Sequence, residues 1–169
     1  MELYQLFKIQ EIIERNIKTL AQIEEDALGR DNTFDLRFLA LQIKTAEIAN
    51  LTKCYKYSKA KENIPKEKMF VRYIDAMKFL LSIGNIHNFN IIDKDAISMV
   101  EEEESLVKLF SSIFDQISLL KNNILNDNYF TSLTIYVNLF ARYVHLAKNL
   151  GFTFDEVYEY YRKHYVIEE

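Results

Sequence analysis

Two four-residue segments carry the most suggestive chemistry in this chain, Lys44-Thr45-Ala46-Glu47 and Arg72-Tyr73-Ile74-Asp75. Each sets a cation three residues before a carboxylate, a spacing that puts both side chains on one face of a helix. Two such helices packed together would bring all four groups to one place. Carboxylates at all four positions would make a cage of hard oxygen ligands suited to Mg²⁺. With Lys44 and Arg72 present, the four charges sum to zero. The simplest expectation is two ion pairs, Lys44–Glu47 and Arg72–Asp75, closed within each helix or crossed between them.

The elements that must hold these groups follow from periodicity. Leu3, Leu6, Phe7, Ile9, Ile13, Ile17 and Leu20 recur at helical spacing and predict a helix over 3–28, ending near Gly29. Asp31-Asn32-Thr33 predicts a turn offering caps to a second helix over 33–57, whose apolar positions include Phe38, Leu41, Ile48 and Leu51. Pro65 suits the first turn of a third helix over 66–86, with Phe70, Ile74, Met77, Leu80 and Leu81 facing inward. After an irregular stretch at 87–95, a fourth helix is expected over 98–125, broken by Asn126-Asp127-Asn128. A fifth runs over 129–150 with Gly151 as its C-cap, and Thr153 with Glu156 forms a capping box opening a last helix over 154–165. No strand is needed. The fold class is all-α, a single domain over 1–169 built as a bundle of about six helices.

Composition narrows the function classes. A chain of 169 residues with 49% hydrophobic and 27% charged residues, three Gly and one Pro is one folded, largely helical domain. A net charge of −4 argues against nucleic acid as a partner. The single Cys54 excludes an internal disulfide and fits a reducing compartment. No run approaches the roughly 18 apolar residues of a membrane span, and Met1-Glu2-Leu3-Tyr4 lacks the features of a signal peptide. A cytoplasmic protein without a membrane partner is expected. Twelve Phe and eleven Tyr predict an apolar face covered in a homodimer.

Several phrases, taken in order, resemble one family. Leu39-Ala40-Leu41-Gln42-Ile43-Lys44-Thr45-Ala46-Glu47-Ile48-Ala49-Asn50 is similar to the second helix of the all-α dUTPases, relatives of the MazG-type nucleotide pyrophosphatases. Tyr73-Ile74-Asp75-Ala76-Met77-Lys78-Phe79-Leu80-Leu81-Ser82-Ile83-Gly84 resembles that family's phrase E-Y-V-D-A-L-H-F-I-L-S-L-G, with Arg72 set against the leading Glu. Leu6-Phe7-Lys8-Ile9-Gln10, Leu150-Gly151-Phe152-Thr153 and Tyr160-Tyr161-Arg162-Lys163-His164 resemble its opening and C-terminal phrases.

The resemblance implies hydrolysis of dUTP to dUMP and pyrophosphate, with magnesium held by an E-x-x-E and an E-x-x-D pair. Carried over by position, Glu47 and Asp75 stand at two ligand places and Lys44 and Arg72 at the other two. Leu51 replaces a further acid, Ser58 replaces a Trp, and His164 replaces an Asn of the C-terminal phrase. The acidic residues Glu168 and Glu169 suit a phosphate poorly. No metal and no catalytic residue is therefore expected, Glu47 and Asp75 being the ligands if any metal binds. Gln10, Asn50, Lys56 and Lys163 become the candidate nucleotide contacts.

Three readings stand open. The first is a catalytically degenerate dUTPase homologue that binds a deoxynucleotide or a regulatory protein. The second is an active, magnesium-dependent dUTP or NTP pyrophosphatase using other ligands. The third is a helical homodimeric interaction module without nucleotide binding. Elsewhere Glu101 to Glu104 read as a solvated helix start, because consecutive acids point around the axis. His87, His145 and His164 form no zinc pattern; His145 reads as a core or interface residue, and Cys54 as a packed or partly exposed thiol.

Overall fold

In a computed structural model, residues 3–21, 30–56 and 65–165 are described, and among them seven helices and no strand occur. These are α1 (Leu3–Ala21), α2 (Arg30–Thr52), α3 (Lys66–Ile86), α4 (Lys94–Ser98), α5 (Leu106–Leu125), α6 (Tyr129–Asn149) and α7 (Phe154–Tyr165). The all-α expectation holds, with seven helices in place of six. None of the described helices is long and apolar enough to cross a membrane.

The helix α2 packs chiefly on α3, and α5 chiefly on α6. Arg37 reaches Ser82 while Glu47 reaches Arg72, so α2 and α3 run antiparallel. Helix α1 lies on α3 and α7, and α4 lies on α6. The shared core includes Leu6, Phe7, Leu41, Ile48, Tyr73, Met77, Leu80, Ile113, Ile117, Leu139, Tyr143 and Tyr161, all buried. At Gly84 α3 packs tightly on its neighbours: a Cβ there would lie 2.6 Å from the Phe7 ring and 2.8 Å from Cζ of Tyr136.

Some boundaries move for definable reasons. The expected helix over 98–125 is two helices, α4 and α5, separated by a non-helical segment at 99–105. Ser105 starts α5 by accepting the Lys108 amide, so Glu101 to Glu104 precede the helix instead of opening it. Lys148 binds Glu102 at 2.6 Å, and Asn149 Nδ2 donates to the Glu103 carbonyl, which holds the acidic run against α6. Asp31, Asn32 and Thr33 lie inside α2, one residue and more beyond its start at Arg30, and not in a turn. That helix ends at Thr52, five residues short of expectation, where Lys53 takes a positive φ of 52°. Ile17 is exposed instead of inward, and the expected end of the first helix at 22–28 lies outside the described residues, as do Ser58, Glu168 and Glu169.

The C-terminal signals perform as read. Gly151 adopts φ 88°, and the Phe152 and Gly151 amides return to Ala147 and Lys148 carbonyls, closing α6 with a Schellman turn. Thr153 N donates to Glu156 Oε2 at 2.7 Å, and Glu156 N donates to Thr153 Oγ1 at 3.2 Å. This reciprocal box aims α7 back toward α3.

Candidate functional site: an ion-pair ladder between two helices

The antiparallel register of α2 and α3 brings Lys44, Glu47, Arg72 and Asp75 into a single row. Lys44 Nζ lies 3.2 Å from Glu47 Oε2, and Arg72 Nη1 lies 3.6 Å from the same oxygen across the helix interface. Arg72 Nη1 also stands 3.9 Å from Asp75 Oδ2. The row continues one step further than the sequence motifs: Lys78 Nζ is 3.6 Å from Asp75 Oδ1. Cations and carboxylates alternate along Lys44, Glu47, Arg72, Asp75 and Lys78. Among the described residues three cations face two carboxylates in this row: the four motif residues sum to zero as expected, and Lys78 adds one positive charge.

These side chains are half-buried, between 28% and 42% exposed. Their contacts are also loose. Only Lys44 is close enough to hydrogen-bond its carboxylate, at 3.2 and 3.3 Å. Arg72 and Lys78 touch their carboxylates at ion-pair range without a hydrogen bond to any described residue. Charge-assisted bonds ordinarily close to about 2.7–2.9 Å. Other pairs in this molecule do so, at 2.7 Å for Lys121–Asp35 and 2.6 Å for Lys148–Glu102.

Immediately beneath the ladder, the next residue on each helix points inward. Thr45 and Tyr73 are fully buried. Thr45 donates its hydroxyl proton to the Leu41 carbonyl, so the very close contact between Thr45 Oγ1 and the Tyr143 hydroxyl has Tyr143 as donor. Tyr73 in turn donates to the Tyr143 carbonyl at 2.6 Å. Burial pushes the Tyr73 and Tyr143 hydroxyls above their ordinary ionisation range. This layer is neutral and closed.

Helix α7 covers the α3 end of the row. The Tyr165 ring centroid lies 4.9 Å from Lys78 Nζ, a cation–π contact. Tyr161 is buried, its hydroxyl without a hydrogen-bond partner among the described residues, and its ionisation is pushed well up by burial and then by Tyr165, Tyr73 and Asp75.

The candidate nucleotide contacts are not joined to this row. Gln10 is buried on α1 and donates to Glu14 at 3.1 Å, its carbonyl oxygen unpaired among the described residues. Asn50 is exposed and accepts from the Tyr55 hydroxyl at 2.9 Å. Lys56 and Lys163 are exposed. No hydrogen bond or ion pair links any of the four to the ladder among the described residues. Lys78 and Tyr165 are the site residues that sequence reasoning missed; the i, i+3 step from Asp75 to Lys78 was the available signal for the first.

The whole chain can now be placed. Residues 2–168 match the family model described as dUTPase. The chain belongs to the all-α dUTPase family. No curated protein and no solved structure matches it.

For this dUTPase-family chain the magnesium implied by its relatives can be tested against the residues present. Mg²⁺ can be held by one or two carboxylates when water and phosphate complete its shell. Glu47 and Asp75 would meet that number, but each is already shared between two cations. An ion at either carboxylate would stand within reach of Arg72 and of one lysine. Like unit charges about 4 Å apart repel by roughly 4 kcal/mol at an effective dielectric near 20, and a divalent ion doubles this. Solvent at these half-exposed groups reduces the figure without changing its sign. The residues do not fit the metal. Among the described residues, no group of three or more acidic, His or Cys side chains is placed to hold one.

Proposed function

We propose that this chain is a catalytically degenerate member of the dUTPase family, keeping the helical bundle while an ion-pair ladder stands where the metals would be. Arg72 carries the reading. Its guanidinium lies between Glu47 and Asp75, 3.6 and 3.9 Å from their oxygens, and so spans the two positions that resemble surviving ligands. A cation at that point neutralises both carboxylates and repels a divalent ion.

Purified protein should release pyrophosphate from dUTP no faster than buffer across millimolar Mg²⁺ or Mn²⁺. Robust metal-dependent release that Glu47→Gln abolishes would overturn the proposal and restore the enzyme reading.

A second feature favours a homodimer. Leu36, Leu39 and Ile43 form an apolar stripe along the outer face of α2, each about half exposed. Leu36 and Leu39 also line a groove of about 690 Å³ against α5. A second copy would cover this stripe, whose Ile43 stands one turn before Glu47 on the same face. Light scattering should give twice the chain mass at micromolar concentration, and a monomer at every concentration removes the dimer from the account.

A further inference from the structure

The ladder is poorly closed for a structural clasp. Its contacts run from 3.2 to 3.9 Å, whereas Lys148–Glu102 and Lys121–Asp35 close to 2.6 and 2.7 Å. Arg72 has five N–H donors and spends none of them on a hydrogen bond to a described residue. Lys78 spends none either, facing Asp75 at 3.6 Å and the Tyr165 ring. Among the described residues two carboxylates face three cations, all on partly exposed side chains.

We propose that this row is a metal-independent site for a phosphate chain, with Arg72 at its centre and divalent cations acting as competitors. The inference rests on the loss of metal binding proposed above and names what replaces it. A single small anion would satisfy one rung. Arg72 and Lys78 are six residues apart on α3, about 9 Å along its axis, and Lys44 lies beyond Glu47 on the neighbouring helix. An anion with charge spread along a chain can meet two or three of these cations together. Arg72 supplies the planar fork that suits phosphate oxygens, and Lys44 and Lys78 supply flexible point charges.

Binding is a competition. The incoming phosphates take the cations from Glu47 and Asp75, so those two carboxylates weaken the site they help to align. The metal effect is therefore opposite in sign to that of a magnesium-dependent pyrophosphatase. Mg²⁺ bound to a phosphate chain lowers its negative charge and fills oxygens that Arg72 would otherwise take. The chain as a whole carries a net charge of −4, which gives no general attraction for anions and makes any binding local.

Calorimetry on the full chain provides the test, with sodium tripolyphosphate and dUTP as separate ligands in EDTA. Saturable binding of tripolyphosphate is expected. Arg72→Gln should weaken it at least tenfold, Glu47→Gln should tighten it severalfold, and Mg²⁺ in excess over ligand should weaken it. Circular dichroism of both variants should match the parent, since these side chains reach solvent. If dUTP and tripolyphosphate bind equally, the phosphate chain alone is read; if dUTP binds tenfold more tightly, the nucleoside is read as well, and the ladder proposal stands in both cases. No binding of either ligand in EDTA overturns it and leaves the loss of hydrolysis, judged by pyrophosphate release, untouched. Binding that requires Mg²⁺ overturns it together with the metal-free reading of the site.

Discussion

The two faces of the α2–α3 pair differ by one residue in sequence and by almost everything in chemistry. Lys44 and Arg72 belong to a charged row open to solvent, while Thr45 and Tyr73 belong to a neutral layer sealed with Tyr143. In the buried layer the side-chain hydroxyls of Thr45, Tyr73 and Tyr143 each donate to one acceptor. In the row above, carboxylates are shared and donors are left over. Burial explains the contrast. An unpaired buried hydroxyl costs about 1–3 kcal/mol, so the Thr45–Tyr73–Tyr143 layer is driven to closure, but a half-exposed cation can lean on water and stay available. Stability is expected to reside in the lower layer, and responsiveness in the upper.

The most damaging substitution should be in the lower layer. Tyr143→Ala removes a fully buried ring and should cost about 3–5 kcal/mol in urea unfolding. A loss below 1 kcal/mol would show that the layer is not where stability lies.

Next in size is conversion of the ladder. Lys44→Glu with Arg72→Glu replaces two cations with acids, and Mn²⁺ at about 100 times its dissociation constant should then stabilise the protein by about 2.7 kcal/mol. The parent should show no such shift. Metal affinity should return before turnover, because Leu51 and Lys78 are still in place.

Tyr73→Phe deletes one buried hydrogen bond and should cost about 1 kcal/mol by the same unfolding measurement. It should leave tripolyphosphate binding unchanged.

A pH slope comes next. Burial, followed by nearby cations, lowers His87 and His145 below the ordinary value of 6.5; Glu102 opposes this at His145. The cations are Arg37 for His87, and Arg142 and Lys148 for His145. The unfolded chain then binds more protons than the folded one as pH falls through about 6.5. Both groups contribute stability above that pH and lose it in the acid direction. The thermal midpoint should fall between pH 7 and 5, and His87→Gln should flatten the slope.

Arg72→Gln should have the smallest effect on folding, under about 1 kcal/mol, as for other exposed ion pairs. A cost near that of Tyr143→Ala would erase the distinction between the two faces.

The ends of α3, α6 and α7 were legible because their signals are local: Pro65, Gly151, and the Thr153–Glu156 box each act within a turn. The segment at 99–105 was not, because Glu is a good helix former. What holds Glu102 and Glu103 off the helix is Lys148 and Asn149, more than 40 residues away. The ladder divides in the same way. Lys44–Glu47 and Arg72–Asp75 could be read from i, i+3 spacing. The rung from Glu47 to Arg72 depends on the antiparallel register, which only packing supplies. Lys78 was overlooked because the paired motif ended at Asp75, and Tyr165 because α7 returns to α3 only through the Gly151 turn.

The ring of Tyr165 over Lys78 also has a use in optical spectroscopy. The chain contains no tryptophan. Tyr165→Trp would therefore introduce a lone indole 4.9 Å from the terminal cation of the row, if its ring takes the tyrosine's place. Indole emission responds to a nearby charge, so the colour and intensity of that single fluorophore would report directly on whether Lys78 is held by Asp75 or drawn away from it.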